Sequence, residues 1–98
     1  MPLRPPPADQ GKVYRVELAP AAQRDLRRLP QVVQTRLATP IKALAENPRP
    51  AGVRKLRGEV RTWRIRVGLY RVVYDIHDDR ALVVILKVAR RSEASYSR

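Results

Sequence analysis

Hydrophobic residues along this chain change their period three times, and each change marks an element. From Val13 to Leu18 they alternate, with Tyr14, Val16 and Leu18 on one face and Arg15 and Glu17 on the other, as a half-buried strand requires. Past Pro20, which a helix tolerates in its first turn, Ala22, Leu26 and Leu29 recur at helical spacing until Pro30. A second helix begins at Pro30 and carries Val33, Leu37, Ile41 and Leu44 on one stripe. Pro40 sits inside that stripe, so a kink or a one-residue break is expected where its ring removes a donor and crowds the preceding turn. Asn47-Pro48 ends the helix. With almost no linker, the two helices form an antiparallel or angled hairpin that must lay its apolar stripe on something.

The C-terminal half supplies that surface, for no proline occurs after Pro50. Trp63, Ile65 and Val67 alternate with Arg64 and Arg66, and Gly68-Leu69 makes a turn. Tyr70, Val72, Tyr74 and Ile76 then alternate with Arg71, Val73 and Asp75. His77-Asp78-Asp79-Arg80 is a second polar turn, and Leu82 to Val88 is a nearly continuous aliphatic run suited to a central strand. The order strand, helix, helix, strand, strand, strand predicts an α+β fold: a mainly antiparallel sheet with a helical hairpin on one face. One domain is expected over residues 13–98. Four of the nine prolines fall in the first seven residues, so residues 1–12 read as a flexible Pro-rich tail, with a short partner-binding arm as the competing view.

Composition narrows the chemistry. At 98 residues the chain is too short for separate cofactor and substrate domains, and its core must be aliphatic: Leu, Val and Ile supply 26 residues and Phe none. The absence of cysteine removes disulfides, thiol catalysis and thiolate metal sites. A single histidine, His77, removes multi-histidine metal sites and the paired-histidine acid/base device; it lies in a polar turn and reads as a turn residue. Neither a metal nor a cofactor is expected. No apolar run approaches the roughly 18 residues of a membrane span, and MPLRPPPADQGK lacks the apolar centre of a signal peptide, so a soluble, cytoplasmic protein without membrane contact is expected.

Charge points to a partner. Lys and Arg number 21 against 9 acids, a net charge of +12, and a surplus of this size on a small chain calls for a polyanion. Half of it lies between residues 54 and 71, where Arg54, Lys55, Arg57, Arg61, Arg64, Arg66 and Arg71 face only Glu59. Taken singly, each arginine is an ordinary solvated side chain. Together, Arg64 and Arg66 on one strand face with Arg71 beside them across the hairpin repel one another unless an anion sits among them, and the planar guanidinium fork suits phosphate. Arg90 and Arg91 extend the basic surface, and Tyr96 follows as a frayed terminal aromatic, a base-stacking platform or a phenolic proton carrier.

The strings VELAPAAQRDLRRLP, IKALAENPRP, KLRGEVRTWRIRVGLYRVVYDI and VVILKVARRSEASY resemble the RelE/ParE superfamily of toxin-antitoxin toxins along residues 13 to 96. The likeness combines a K-L-x-G turn, an R-x-R strand, a G-x-Y-R hairpin and a last strand followed by R-R and a tyrosine. It is nearest the RelE branch, whose toxins cut messenger RNA in the ribosomal A site and are silenced by a partner antitoxin. The resemblance implies catalytic roles for Arg64 and Arg66, where the family has lysines, and for Arg71, Arg91 and Tyr96. It leaves Arg54, Lys55, Arg57, Arg61 and Arg90 as contacts to RNA or ribosome. A RelB-like antitoxin encoded next to the toxin, messenger RNA and the 70S ribosome are the implied partners, and a toxin–antitoxin heterotetramer is among the assemblies it allows. Two departures stand out: both lysines are arginine, and Leu69 occupies a place usually acidic or polar. An arginine keeps its proton at any working pH, so Arg64 and Arg66 can hold phosphate but not act as general base. The expected reaction is metal-free attack of an RNA 2′-hydroxyl on its own phosphate. A ParE-like gyrase poison and a plain basic RNA-binding or ribosomal protein are the alternatives; retention of the arginine set with Tyr96 argues against the gyrase poison.

Overall fold

The computed structural model describes residues 13–91; the expected tail, residues 1–12, and Tyr96 lie outside the described residues. In chain order the elements are β1 (Arg15–Leu18), α1 (Pro20–Arg27), α2 (Gln31–Ala43), β2 (Arg54–Lys55), β3 (Thr62–Val67), β4 (Tyr70–His77) and β5 (Leu82–Arg90). A short 3-10 turn, Asp78–Arg80, joins β4 to β5. The strands form one sheet in the order β1-β5-β4-β3-β2, in which β1 runs parallel to β5 and all other neighbours are antiparallel. This is the α+β arrangement the hydrophobic pattern predicts, with one strand more. β2 is only two residues long and exposed at both, so no alternation of burial announces it.

The alternating residues fall where their period requires. Ala22 of α1 and Leu37 and Ile41 of α2, with Leu44 just past its end, pack on Ile65, Val72, Tyr74, Ile76, Val83, Ile85 and Val88 of the sheet. β1 begins at Arg15 rather than Val13, because the Tyr14 N–H donates to the Ala45 carbonyl at 2.7 Å instead of to β5. Tyr14 remains part of the core, its hydroxyl donating to Asp78 at 2.6 Å. α2 passes through Pro40 as one continuous helix, so of the kink or one-residue break expected there the break does not occur. Leu37, Ile41 and Leu44 are buried on both sides of Pro40, and the carbonyl that loses its helical donor belongs to Arg36, an exposed residue that water can reach. Tyr74 is fully buried and donates to the Pro48 carbonyl at 2.7 Å; burial pushes its phenol far above the usual range, against the smaller opposing effect of Arg49.

Two features fix β5. Its pairing with β4 shifts by one residue between Val73 and Tyr74, so that Tyr74 opposes Ile85 while Val73 opposes Lys87, and Leu86 is the extra residue. β1 covers β5 only from Leu82 to Ile85, and among the described residues no strand pairs with the edge that follows. There the Val88 N–H donates to the Asp25 carboxylate of α1 at 2.9 Å, docking helix to strand through a charge-assisted bond. Asp25→Ala should therefore cost about 1–3 kcal/mol in urea unfolding, while Asp25→Asn, which keeps an acceptor oxygen, should cost less. Equal losses in the two variants would show that the bond does not hold β5 to α1.

Candidate functional site

Period-two geometry sorts the basic side chains. Trp63, Ile65 and Val67 of β3 face the core, which turns Arg64 and Arg66 to the face away from the helices. Arg71 lies on that outer face of β4, between the core residues Tyr70 and Val72. Strand pairing puts Arg66 directly opposite Arg71 and Arg54 directly opposite Arg64. Gly68, at φ +59°, allows the tight turn that aligns the Arg66–Arg71 pair, and leaves Leu69 exposed at the tip. Just past β5, the Arg91 N–H donates to the Leu69 carbonyl at 2.7 Å, tying Arg91 to the same turn.

The electrostatics match this layout. Burial, and after it the charges of Arg66, Arg71, Arg54 and Arg91, push the Arg64 guanidinium below its ordinary range. Arg71 is half-buried, and its Nε is shielded from solvent with no hydrogen-bond partner among the described residues. A pocket of 390 Å³ lined by Ala51, Gly52, Arg54, Arg64, Ile65 and Arg66 opens at the edge of β3 beyond the stretch that β2 covers. Among the described residues no carboxylate lies between these five guanidinium groups, an arrangement suited to an anion, because bringing a phosphate among them relieves repulsion and satisfies fixed N–H donors together.

Other basic residues with an expected contact role lie elsewhere. Lys55 opposes Trp63 and so takes the helix side, its Nζ 6.0 Å from the indole centre. Arg57 sits in the turn between β2 and β3, and Arg61 donates to His77 Nδ1 at 2.9 Å; both are at the Thr62 end of the sheet, away from the hairpin tip. Arg90 opposes Tyr70 on the helix side and lines a 510 Å³ groove with Val33, Leu37 and Leu69. The expectation that Arg90 and Arg91 extend one surface fails for a simple reason: successive residues leaving a strand point to opposite faces.

The sequence and the fold both have relatives among known proteins. Residues 16–95 match the family described as the ParE toxin of type II toxin-antitoxin system, parDE. The chain belongs to the RelE/ParE toxin superfamily. A protein of Methanocaldococcus jannaschii that carries the name toxin RelE1 is 30% identical over 84 residues, which span 83% of this chain and 93% of that protein. The toxin–antitoxin complex RelBE2 of Mycobacterium tuberculosis contains a chain with 32% identity and a TM-score of 0.74, covering 86% of this chain and 98% of that one. A chain of the archaeal RelE–RelB complex of Pyrococcus horikoshii has 30% identity and a TM-score of 0.72, covering 81% and 96%. These likenesses place the toxin on the RelE branch.

One basic residue of the outer face escapes sequence reasoning. Lys87 has the parity of Val83 and Ile85, which face the helices, yet the one-residue shift in β5 puts it opposite Val73, on the rung of Arg64. The signal is a bulge, and a continuous aliphatic run conceals it. For the toxin's arginine cluster, phosphate should raise the melting temperature more than chloride does at equal ionic strength, since only the folded sheet gathers the site. Arg66→Gln should stabilise the protein in chloride by about 0.2–1 kcal/mol, by removing a directly opposed like-charge pair, and should reduce the gain from phosphate. A variant less stable than the parent in chloride would show that the pair stores no repulsion.

Proposed function

We propose that this toxin is a ribosome-dependent endoribonuclease that cuts messenger RNA in the A site and so stops translation. The observation that carries this reading is the gathering of Arg64, Arg66, Arg71 and Arg91 on one sheet face, with the core and both helices behind it. In the proposed reaction the RNA 2′-oxygen gives up its proton and bonds to the adjacent phosphorus. The bond to the 5′-oxygen of the next nucleotide breaks, leaving a 2′,3′-cyclic phosphate and a 5′-hydroxyl once that oxygen gains a proton. Charge grows on the non-bridging phosphate oxygens, and fixed guanidinium donors are suited to stabilising it. Arg91 stabilises the leaving oxygen without surrendering a proton, because a neutral guanidine is too costly. Tyr96 is assigned the base role or a stacking role; a phenol of ordinary pKa about 10 becomes useful near neutrality only beside cations such as these.

The helix side suits a different partner. A 330 Å³ groove lined by Val16, Leu18, Leu26, Ala38 and Ile41 lies there, bordered by Lys42, and the outer helix surfaces expose Arg24, Arg27, Arg28 and Arg36. An acidic, amphipathic antitoxin segment meets both demands, as expected for a relative of chains solved in RelE–RelB complexes. The toxin should co-purify with the product of an adjacent small reading frame. A chain that is monomeric and harmless when expressed alone would count against this partner.

Primer extension on translating ribosomes tests the activity. The parent should give codon-phased cuts, and Arg71→Ala and Arg91→Ala should each lower the single-turnover rate by about 10²- to 10³-fold. Tyr96→Phe keeps the ring and deletes the hydroxyl, so a proton-carrying role predicts a loss of about 10²- to 10⁴-fold with ribosome binding nearly unchanged. Cleavage within about threefold of the parent would end the tyrosine-base assignment. Intact messages together with inhibited gyrase would favour the ParE-like activity, and neither effect would leave a plain RNA binder.

A further inference from the structure

The outer-face arginines stand in rungs. Arg66 and Arg71 form one rung across β3 and β4, and Arg54 and Arg64 form the other across β2 and β3. Residues two apart on a strand are about 6.6 Å apart, a step of the same order as that between successive phosphates of an extended RNA strand. We propose that the sheet carries two phosphate subsites one rung apart, which hold consecutive phosphates of one RNA strand: one between Arg66 and Arg71, the other between Arg54 and Arg64. The assignment rests on the reading of this face as an RNA site and adds to it the number of phosphates held and the residue that holds the second.

Three observations support two subsites rather than a diffuse patch. The 390 Å³ pocket is lined by Arg54, Arg64 and Arg66, which provides room beside the Arg54–Arg64 rung for a second anion. The next rung toward the Thr62 end carries Asp75, whose carboxylate accepts the Thr62 hydroxyl at 2.6 Å and repels a third phosphate. The Arg91 backbone is tied to the hairpin turn that closes the Arg66–Arg71 rung, which brings a further basic residue to that end of the face and fits that rung for the phosphate that reacts. Arg54 then grips the neighbouring phosphate and sets the register of the strand. It stands on the two-residue edge strand, so a short segment with little packing of its own determines how firmly the second phosphate is held.

Binding to the full-length toxin tests the proposal without cleavage. The probes are 2′-O-methyluridine 3′-monophosphate and 2′-O-methyluridine 3′,5′-bisphosphate, whose two phosphates flank a single nucleoside as in RNA. By calorimetry at low salt, the bisphosphate should bind the parent tighter by about tenfold or more. Arg54→Ala should lose most of that gain, and Arg54→Lys should keep part of it, because a lysine supplies charge without the fork. Thermal melts confirm that both variants fold. No gain in the parent, or the full gain in Arg54→Ala, would overturn the second subsite. So would an aspartate-rich peptide that competes as strongly as the bisphosphate, since the rungs would then be reading carboxylates. Ribosomal messages left intact while the Arg54-dependent gain persists would defeat the nuclease reading and leave the two subsites standing. Phased cuts without the gain would do the reverse.

Discussion

Arginines held opposite one another on adjacent strands repel, and a sheet keeps them there only if its other face is anchored. In this toxin the anchor and the charge share the same strands. Every second residue of β3 and β4 is driven into the core, and the residues between are carried to the outer face whether or not they suit each other. Ile65, Val72, Tyr74, Ile76, Val83, Ile85 and Val88 are all buried. Each such side chain contributes on the order of 1.5–3 kcal/mol on burial, whereas a like-charge cross-strand pair costs a few tenths to about 1 kcal/mol. The core therefore wins easily, and the repulsion remains as a preorganised demand for an anion. A flexible loop with the same arginines would spread them apart and lose that demand.

The sheet needs fastening at two places for this to hold. Where β1 stops short, Asp25 takes the Val88 N–H and docks α1 there through a single carboxylate. At the far end, Asp78 accepts both the Tyr14 hydroxyl and two N–H groups of Arg49, while Arg49 lies 5.1 Å above the Trp63 ring. These contacts tie β1, the loop after α2 and the β4–β5 turn into one corner. Acidic residues are scarce in the chain, and Asp25, Asp75 and Asp78 bond within the fold rather than among the five arginines of the outer face. The distribution of negative charge thus helps to shape the site as much as the arginines do.

Much of this was legible in the sequence because periodicity reports faces. The alternation from Trp63 to Val67 and from Tyr70 to Ile76 fixed which side Arg64, Arg66 and Arg71 would occupy, and the Gly68-Leu69 turn set them beside each other. Local devices without a hydrophobic signature were not legible. The one-residue shift in β5 moved Lys87 to the outer face, and a two-residue β2 brought Arg54 to Arg64. The same short strand sets Lys55 opposite Trp63 on the helix side, a register that no spacing along the chain could reveal. At Pro40 the sequence left a kink and a break open, and the break is absent because buried neighbours on both sides of a proline hold a helix together when the one orphaned carbonyl belongs to an exposed residue.

The choice of arginine over lysine at positions 64 and 66 has a consequence that the geometry sharpens. Burial and four neighbouring cations depress the Arg64 guanidinium. A lysine starts about two units or more below an arginine, near 10.4, and the same surroundings would push its amine further in the direction of proton loss. A guanidinium absorbs the same depression and stays charged. The site therefore gains unconditional positive charge from the two replacements and gives up a base at positions 64 and 66. Under the proposed chemistry, proton removal from the 2′-hydroxyl must come from outside the arginine set, and Tyr96 is the residue assigned to it. The rigid sheet supplies binding, alignment and charge, and the proton acceptor is the one component that its outer-face arginines cannot provide.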